Sequence, residues 1–323
     1  LGVLAVNVVV NPLGYFPTTM FRPLTWSSRA DKSNRMSVAP PAQVLVLGSS
    51  RVMQLAPQQI TRVSGLTAYN AAVDSAKAED WLAITRFALH DLRWPLREIV
   101  LGVDVEGLHN HTAPDGRLGG APKIAKHLPP SFQLRLLGEV VTSGLSQDQL
   151  SSSLRSLRFR RNGYPEDSSS IDPDGMLHYL KFSREIAAGT FRPEFAGTAL
   201  AYESRFAGMT RVGDDREHAL RTLLTLAHER NITVRAFISP LHHSVVAHLN
   251  RHRDFARLRR EVLAMLQQMS SEFAPHLAVR DYTDVSVFGG DPELFYDGAH
   301  VREGNADRLV QSLWEGSARD AVQ

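Results

Sequence analysis

Cysteine is absent from all 323 residues, which excludes disulfides, thiolate nucleophiles and cysteine-ligated zinc. That absence leaves the compartment open, because a cysteine-free chain suits an oxidising space as well as a reducing one. Charge of one sign is also lacking. The chain carries 36 Lys and Arg against 34 Asp and Glu, a net of +2, so the electrostatic footprint of a nucleic-acid binder is missing. Lysine is scarce beside arginine, as codon bias in a GC-rich genome would produce. Internal repeats and low-complexity tracts are not found, and no apolar run reaches the roughly 20 residues that span a bilayer core. What remains is ordinary globular material, 43% hydrophobic and 22% charged, enough for one large α/β domain with an insertion.

The opening segment, Leu1 to Val10, is mostly apolar and breaks at Asn11-Pro12. It reads as the outer end of a membrane anchor, with a buried strand or short helix as the alternative. Pro12, Pro17, Pro23, Pro40 and Pro41 make the stretch up to residue 42 read as an irregular tether.

From Gln43 the chain alternates β-rich runs with helical periodicity, the pattern of a parallel sheet covered by helices. Strands are expected at Val44 to Leu47, Leu66 to Ala72, Glu98 to Val105, Ile232 to Ile238 and Leu277 to Tyr282. The first is apolar throughout, as a strand buried on both faces should be. Helices are expected at Glu79 to Leu92, Asp215 to Arg230, Asp254 to Met269 and Asn305 to Glu315. Between about 107 and 213 the alternation lapses into Gly, Pro and Ser clusters, with helices at Phe132 to Leu145 and Gln147 to Arg161. This section reads as an insertion or cap over the sheet, or as a packing or partner-binding appendage.

Two segments at opposite ends carry the candidate chemistry. Gly48-Ser49-Ser50-Arg51 follows the first strand, and Asp297-Gly298-Ala299-His300 lies near the C-terminus. A serine hydroxyl needs a base within hydrogen-bond reach and a third group to hold that base, so Ser50, His300 and Asp297 form a candidate triad. The Gly-x-Ser-x-Gly elbow is incomplete, because Val52 stands where the last glycine would be. A plainer alternative has Ser49 and Ser50 capping a helix, with Asp297 and His300 in an ordinary turn.

The order of these blocks resembles the SGNH (GDSL-type) hydrolase superfamily over about 43–107 and 215–314. Gly48-Ser49-Ser50 stands at the nucleophile block, Tyr69-Asn70-Ala71-Ala72 at the second, Leu101-Gly102-Val103-Asp104 at the third and Asp297 with His300 at the last. The resemblance implies a three-layer, flavodoxin-like α/β fold. It implies Ser50 as nucleophile, the amides of Ser50 and Ala72 as oxyanion donors, and Asn70 shaping the site. Asp104 replaces the family's asparagine and, if ionised, is acceptor-only and repels an oxyanion. Arg51 is expected to pair with Asp104 or Asp74.

The wording Gly-Ser-Ser-Arg, Phe295-Tyr296-Asp297-Gly298-Ala299-His300 and Asn11-Pro12-x-Gly14 is similar to membrane-tethered bacterial SGNH-like proteins linked to acylation of surface polysaccharides. By that resemblance the chain faces the periplasm or cell exterior, and its partner is a surface glycan or an acyl donor, with acetyl the most plausible acyl group. The alternative is a catalytically silent subunit docked on a membrane protein complex through its N-terminal segment and middle insertion.

His242 follows the fourth strand and is a candidate for lining the same mouth. No metal or other cofactor is expected. His248 and His252 have ligand spacing without the Glu of a His-Glu-x-x-His motif, and His109-Asn110-His111 is too bare for a metal site. Gly116 to Gly120 reads as a turn, not a dinucleotide loop.

Overall fold

The computed structural model describes residues 2–24, 27–164 and 166–320, so Leu1 of the apolar opening and the last three residues of the α/β domain lie outside it. Strand β1 (Val44–Leu47) is apolar at each position because both its faces are covered. Leu45 and Leu47 enter one core, Val44 and Val46 the other. It pairs in parallel with β2 (Ala68–Asn70) on one side and β3 (Glu98–Val103) on the other, in register Val44 to Ala68 and Val44 to Glu98. Beyond β3 lie β4 (Thr233–Ile238) and β5 (Leu277–Asp281), also parallel. The five-stranded order is therefore β2-β1-β3-β4-β5. The chain reverses direction across the sheet at β1 and β3, which makes a switch point at the strands' carboxyl ends, where open α/β sheets place ligands.

The helices, in chain order, are α1 (Gly2–Val10), α2 (Ser28–Met36), α3 (Pro57–Ser64), α4 (Ala78–Arg86), α5 (Pro122–Ala125), α6 (Pro130–Gly144) and α7 (Gln147–Asn162). They continue with α8 (Leu180–Ala187), α9 (Phe195–Arg205), α10 (Asp214–Glu229), α11 (His243–His252), α12 (Phe255–Glu272) and α13 (Glu303–Asp320). Helices α3 and α13 cover the Val44 and Val46 face through Ile60, Leu309 and Val310. Helices α4, α10 and α12 cover the other through Trp81, Leu223 and Val262. The protein is thus a three-layer α/β fold, as expected.

Three expectations need correction. The second strand is confined to Ala68–Asn70, although the Ala71 and Val73 amides still donate to the Val46 and Gly48 carbonyls at 2.9 and 3.0 Å. Helix α4 ends at Arg86 and runs on as a wider turn, Phe87–Asp91, closed by the Leu92 amide on the Phe87 carbonyl at 3.1 Å. The stretch before β1 is not a loose tether, because α2 is wedged into the domain by charged residues. Arg29 makes a two-pronged contact with Asp80 (2.7 and 2.9 Å), both side chains fully buried, and Lys32 Nζ donates to the Asn70 carbonyl at 2.8 Å. Its polar sequence hides this, because each buried charge finds its partner only through the fold.

Between β3 and α10 the chain forms α5 to α9 and a short antiparallel pair, Ser170–Ile171 with Leu177–His178, separate from the main sheet. This insertion is bonded to the carboxyl ends of the strands. Leu177 N–H donates to the Met53 carbonyl and Asn70 N–H to that of Asp174, each at 2.9 Å.

Candidate active site

The turn after β1 depends on two glycines. Gly48 has φ of +142°, and a β-carbon on it would lie 2.6 Å from Val52 Cγ2 and 2.8 Å from the Gly102 carbonyl oxygen. Val52 fills the notch between Gly48 and Gly102, which explains why this turn keeps valine where an elbow would have glycine. Ser49 Oγ accepts the Arg51 amide at 3.2 Å and so ties the turn, while α3 starts only at Pro57. Ser50 is left half-buried at the switch point with its hydroxyl not engaged in that turn.

That hydroxyl meets His300 across almost the whole chain. Ser50 Oγ lies 2.8 Å from His300 Nε2. On the ring's other side Nδ1 lies 2.8 and 2.9 Å from the two Asp297 oxygens. An ionised carboxylate only accepts, so Nδ1 carries the proton, and the Nε2 lone pair takes the Ser50 O–H. Asp297 Oδ1 also accepts the amides of Ala299 and His300, each at 2.8 Å. Burial pushes the Asp297 carboxyl up, but the neighbouring His300 and these hydrogen bonds outweigh it and hold the group below the ordinary carboxylate range. The turn is closed by the Tyr296 amide on the His300 carbonyl (2.8 Å) and pinned to the sheet side by the His242 amide on the Gly298 carbonyl (2.9 Å).

The remaining predicted residues take varied places. Asn70 is buried and acts as a clamp: its Nδ2 donates to the carbonyls of Val52 (2.8 Å) and Leu55 (3.0 Å). Its Oδ1 accepts the Ala72 amide at 3.2 Å and Lys32 Nζ at 3.3 Å. The Ala72 amide therefore donates to Asn70, whereas the Ser50 amide has no acceptor among the described residues. Asp104 begins the loop after β3 and faces Arg51, with Nη1 to Oδ1 at 3.4 Å. Arg51 also donates to Glu106 (2.5 Å) and to the Tyr202 hydroxyl (3.0 Å). Asp74, the other candidate partner, is held by Arg117 and Ser28 instead. His242 does not line the mouth. It is buried, stacked on Phe195 at 4.0 Å between ring centroids, and accepts the Ser244 amide as the N-cap of α11. Burial and His243 lower its pKa, in keeping with that acceptor role.

Several residues at the site were not singled out from sequence, and most come from the insertion. The Tyr179 ring stands edge-on to His300, centroids 5.7 Å apart, and burial with nearby Asp297 raises its phenol pKa. Phe182 stacks on Tyr296 at 5.2 Å, and Phe191 completes the half-buried wall. Glu194 bridges to Asp297 through the backbone. The available signal was an aromatic recurrence at Tyr179, Phe182, Phe191 and Phe195 in a section otherwise rich in turn formers. Among the described residues no three His, Cys, Asp or Glu side chains gather as a metal site, and His248 instead pairs with Glu203 at 2.7 Å.

Strand order and side-chain geometry together define a three-layer α/β protein with a Ser-His-Asp arrangement at its switch point. The chain matches no protein-family model, and no curated protein matches it significantly, so the site itself carries the functional reading.

Proposed function

We propose that the chain is a serine-dependent esterase or O-acyltransferase of the SGNH type, acting on acyl esters, chiefly acetyl, of a cell-surface carbohydrate. The observation that carries this reading is the unbroken hydrogen-bonded line from Ser50 through His300 to Asp297, with Ser50 to His300 at 2.8 Å. Ser50 Oγ attacks the acyl carbonyl carbon while His300 Nε2 takes its proton. Asp297 keeps Nδ1 protonated and stabilises the imidazolium. The Ser50 amide receives the developing oxyanion. Collapse expels the sugar alkoxide, which takes the proton back from His300, and the acyl-serine passes to water or to an acceptor hydroxyl. The aromatic wall of Tyr179, Phe182 and Tyr296 suits the flat face of a sugar ring. The reading places the protein in the periplasm or at the cell exterior, with a glycan or acyl donor as its partner.

The test is release of acetate from an acetylated polysaccharide and from a small acetyl ester. Turnover should fall about 10⁴-fold or more in Ser50→Ala; equal turnover in the variant, or none on any acetyl ester in the wild type, would sink the reading.

A second reading is favoured by two observations. Ala72 N–H is engaged by Asn70, and a carboxylate occupies position 104. A silent scaffold subunit docked on a membrane protein complex would tolerate both. It requires that a Ser50→Ala, His300→Ala double variant keep full biological function and still co-purify with the complex.

A further inference from the structure

Helices α1, α6 and α7 meet at Asn7. Asn7 Nδ2 donates to the carbonyls of Gly144 (2.9 Å) and Ser146 (3.3 Å), and its Oδ1 accepts the Ser153 hydroxyl at 2.8 Å. Around that point the usual polarity of a globular surface is reversed. Helix α1 buries Asn7 completely yet leaves Val6 and Val9 exposed at 37% and 41%. Helix α7 buries Gln149, Ser153 and Ser156 and turns Leu154 and Leu157 outward. Helix α6 is apolar on both sides: Phe132 and Leu136 face the core, while Leu134, Leu137 and Val141, with Leu145 at its C-cap, face out. Of the twelve large apolar side chains exposed among the described residues, seven lie on these three helices and an eighth, Leu145, caps α6.

Water gives no reason to hide an asparagine and serines while exposing leucines. Hydrocarbon does, because there polar side chains serve as glue between helices and apolar ones face the solvent. The second half of α7 adds Arg155, Arg158, Arg160 and Arg161, none in an ion pair among the described residues, with Arg160 lying over the Phe21 ring at 4.6 Å. Leucines beside arginines are the composition of an interfacial helix on an anionic bilayer, where arginine stems lie along the acyl boundary and guanidinium groups reach phosphates. No helix among the described residues is long and apolar enough to cross a membrane, so contact in the plane of the interface is the geometry that fits.

We infer that α1, α6 and α7 form a monotopic face that inserts its exposed leucines and valines into the surface of an anionic phospholipid bilayer. This inference is independent of the serine chemistry, since none of these residues touches the triad. The test is co-sedimentation of the full chain with vesicles of equal parts phosphatidylglycerol and phosphatidylcholine, and with phosphatidylcholine alone. The wild type should bind the anionic vesicles more tightly, and added salt should weaken binding. Leu137→Glu with Leu154→Glu should lower the partition coefficient by about tenfold or more. Both positions are exposed, so circular dichroism should show unchanged folding, and Ser50→Ala should bind as the wild type does. Absence of binding to either vesicle, unchanged binding by the double variant, or a dimer in light scattering that the double variant breaks would overturn the proposal, the last by assigning this face to a second copy of the chain.

Discussion

Arg51, next to Ser50 in sequence, turns away from it. Its guanidinium is buried between Asp104 and Glu106 and lies over the Tyr202 ring at 4.7 Å. Burial and Asp104 push the Glu106 carboxyl up, against the pull of Arg51. Removing Arg51 leaves two buried carboxylates without a counter-charge, so Arg51→Ala should lose about 3–5 kcal/mol in urea unfolding. Asp297 has its own pH signature. Its folded pKa is depressed, so the stability it contributes is complete above the unfolded carboxylate value, about 3.9, and is lost as pH falls through the folded value. Urea midpoints followed from neutral to acid pH should show that loss in the wild type and a shallower one in Asp297→Asn. At neutral pH the same variant frees the His300 tautomer, and turnover should drop about 10⁴-fold.

At the scale of elements, the turn after β1 is held by a residue from β2. Asn70→Ala would strip partners from the carbonyls of Val52 and Leu55, the amide of Ala72 and one bond of Lys32. The expected loss is about 2–4 kcal/mol, measured by denaturant unfolding, and it should be accompanied by slower turnover as the Ser50 turn loosens. The five strands and the helices that cover them were legible because a doubly buried parallel sheet writes itself as short apolar runs between amphipathic helices. Ser50, Asp297 and His300 were singled out because a serine turn after the first strand and a late Asp-x-x-His suit one hydrogen-bonded group, and the fold brings Ser50 Oγ to 2.8 Å from His300 Nε2. What escaped was settled by contacts distant in sequence. Helix α2 reads as polar linker, and burial of Arg29 and Lys32 becomes tolerable only through partners the fold brings: Asp80, Asp115 and the Asp74 carbonyl for Arg29, and Asn70 for Lys32. Helices α8 and α9 lie among glycines and prolines, and their aromatic residues acquire meaning only against Tyr296, His300 and Arg51. His242 looked like a mouth residue for the opposite reason: its place after β4 was right, but its ring was committed to capping α11.

At the scale of the molecule, the insertion adds its own side chains beside Ser50 and His300 at the carboxyl ends of the strands. Tyr179 and Phe182 come from one part of it and Tyr202 from another, so the turn after β1 supplies Ser50 and the insertion supplies its surroundings. Phe182→Ala should therefore raise the KM for an acetylated polysaccharide by about 2–10-fold while leaving a small acetyl ester nearly unaffected. All of this depends on Ser50 being a nucleophile activated by His300. The most direct measurement is intact-protein and peptide mass spectrometry after exposure to a fluorophosphonate, in which the serine oxygen displaces fluoride from phosphorus. The account predicts one adduct, on Ser50, absent in Ser50→Ala and strongly slowed in His300→Ala; an unmodified wild-type chain, or labelling that persists in Ser50→Ala, would contradict it.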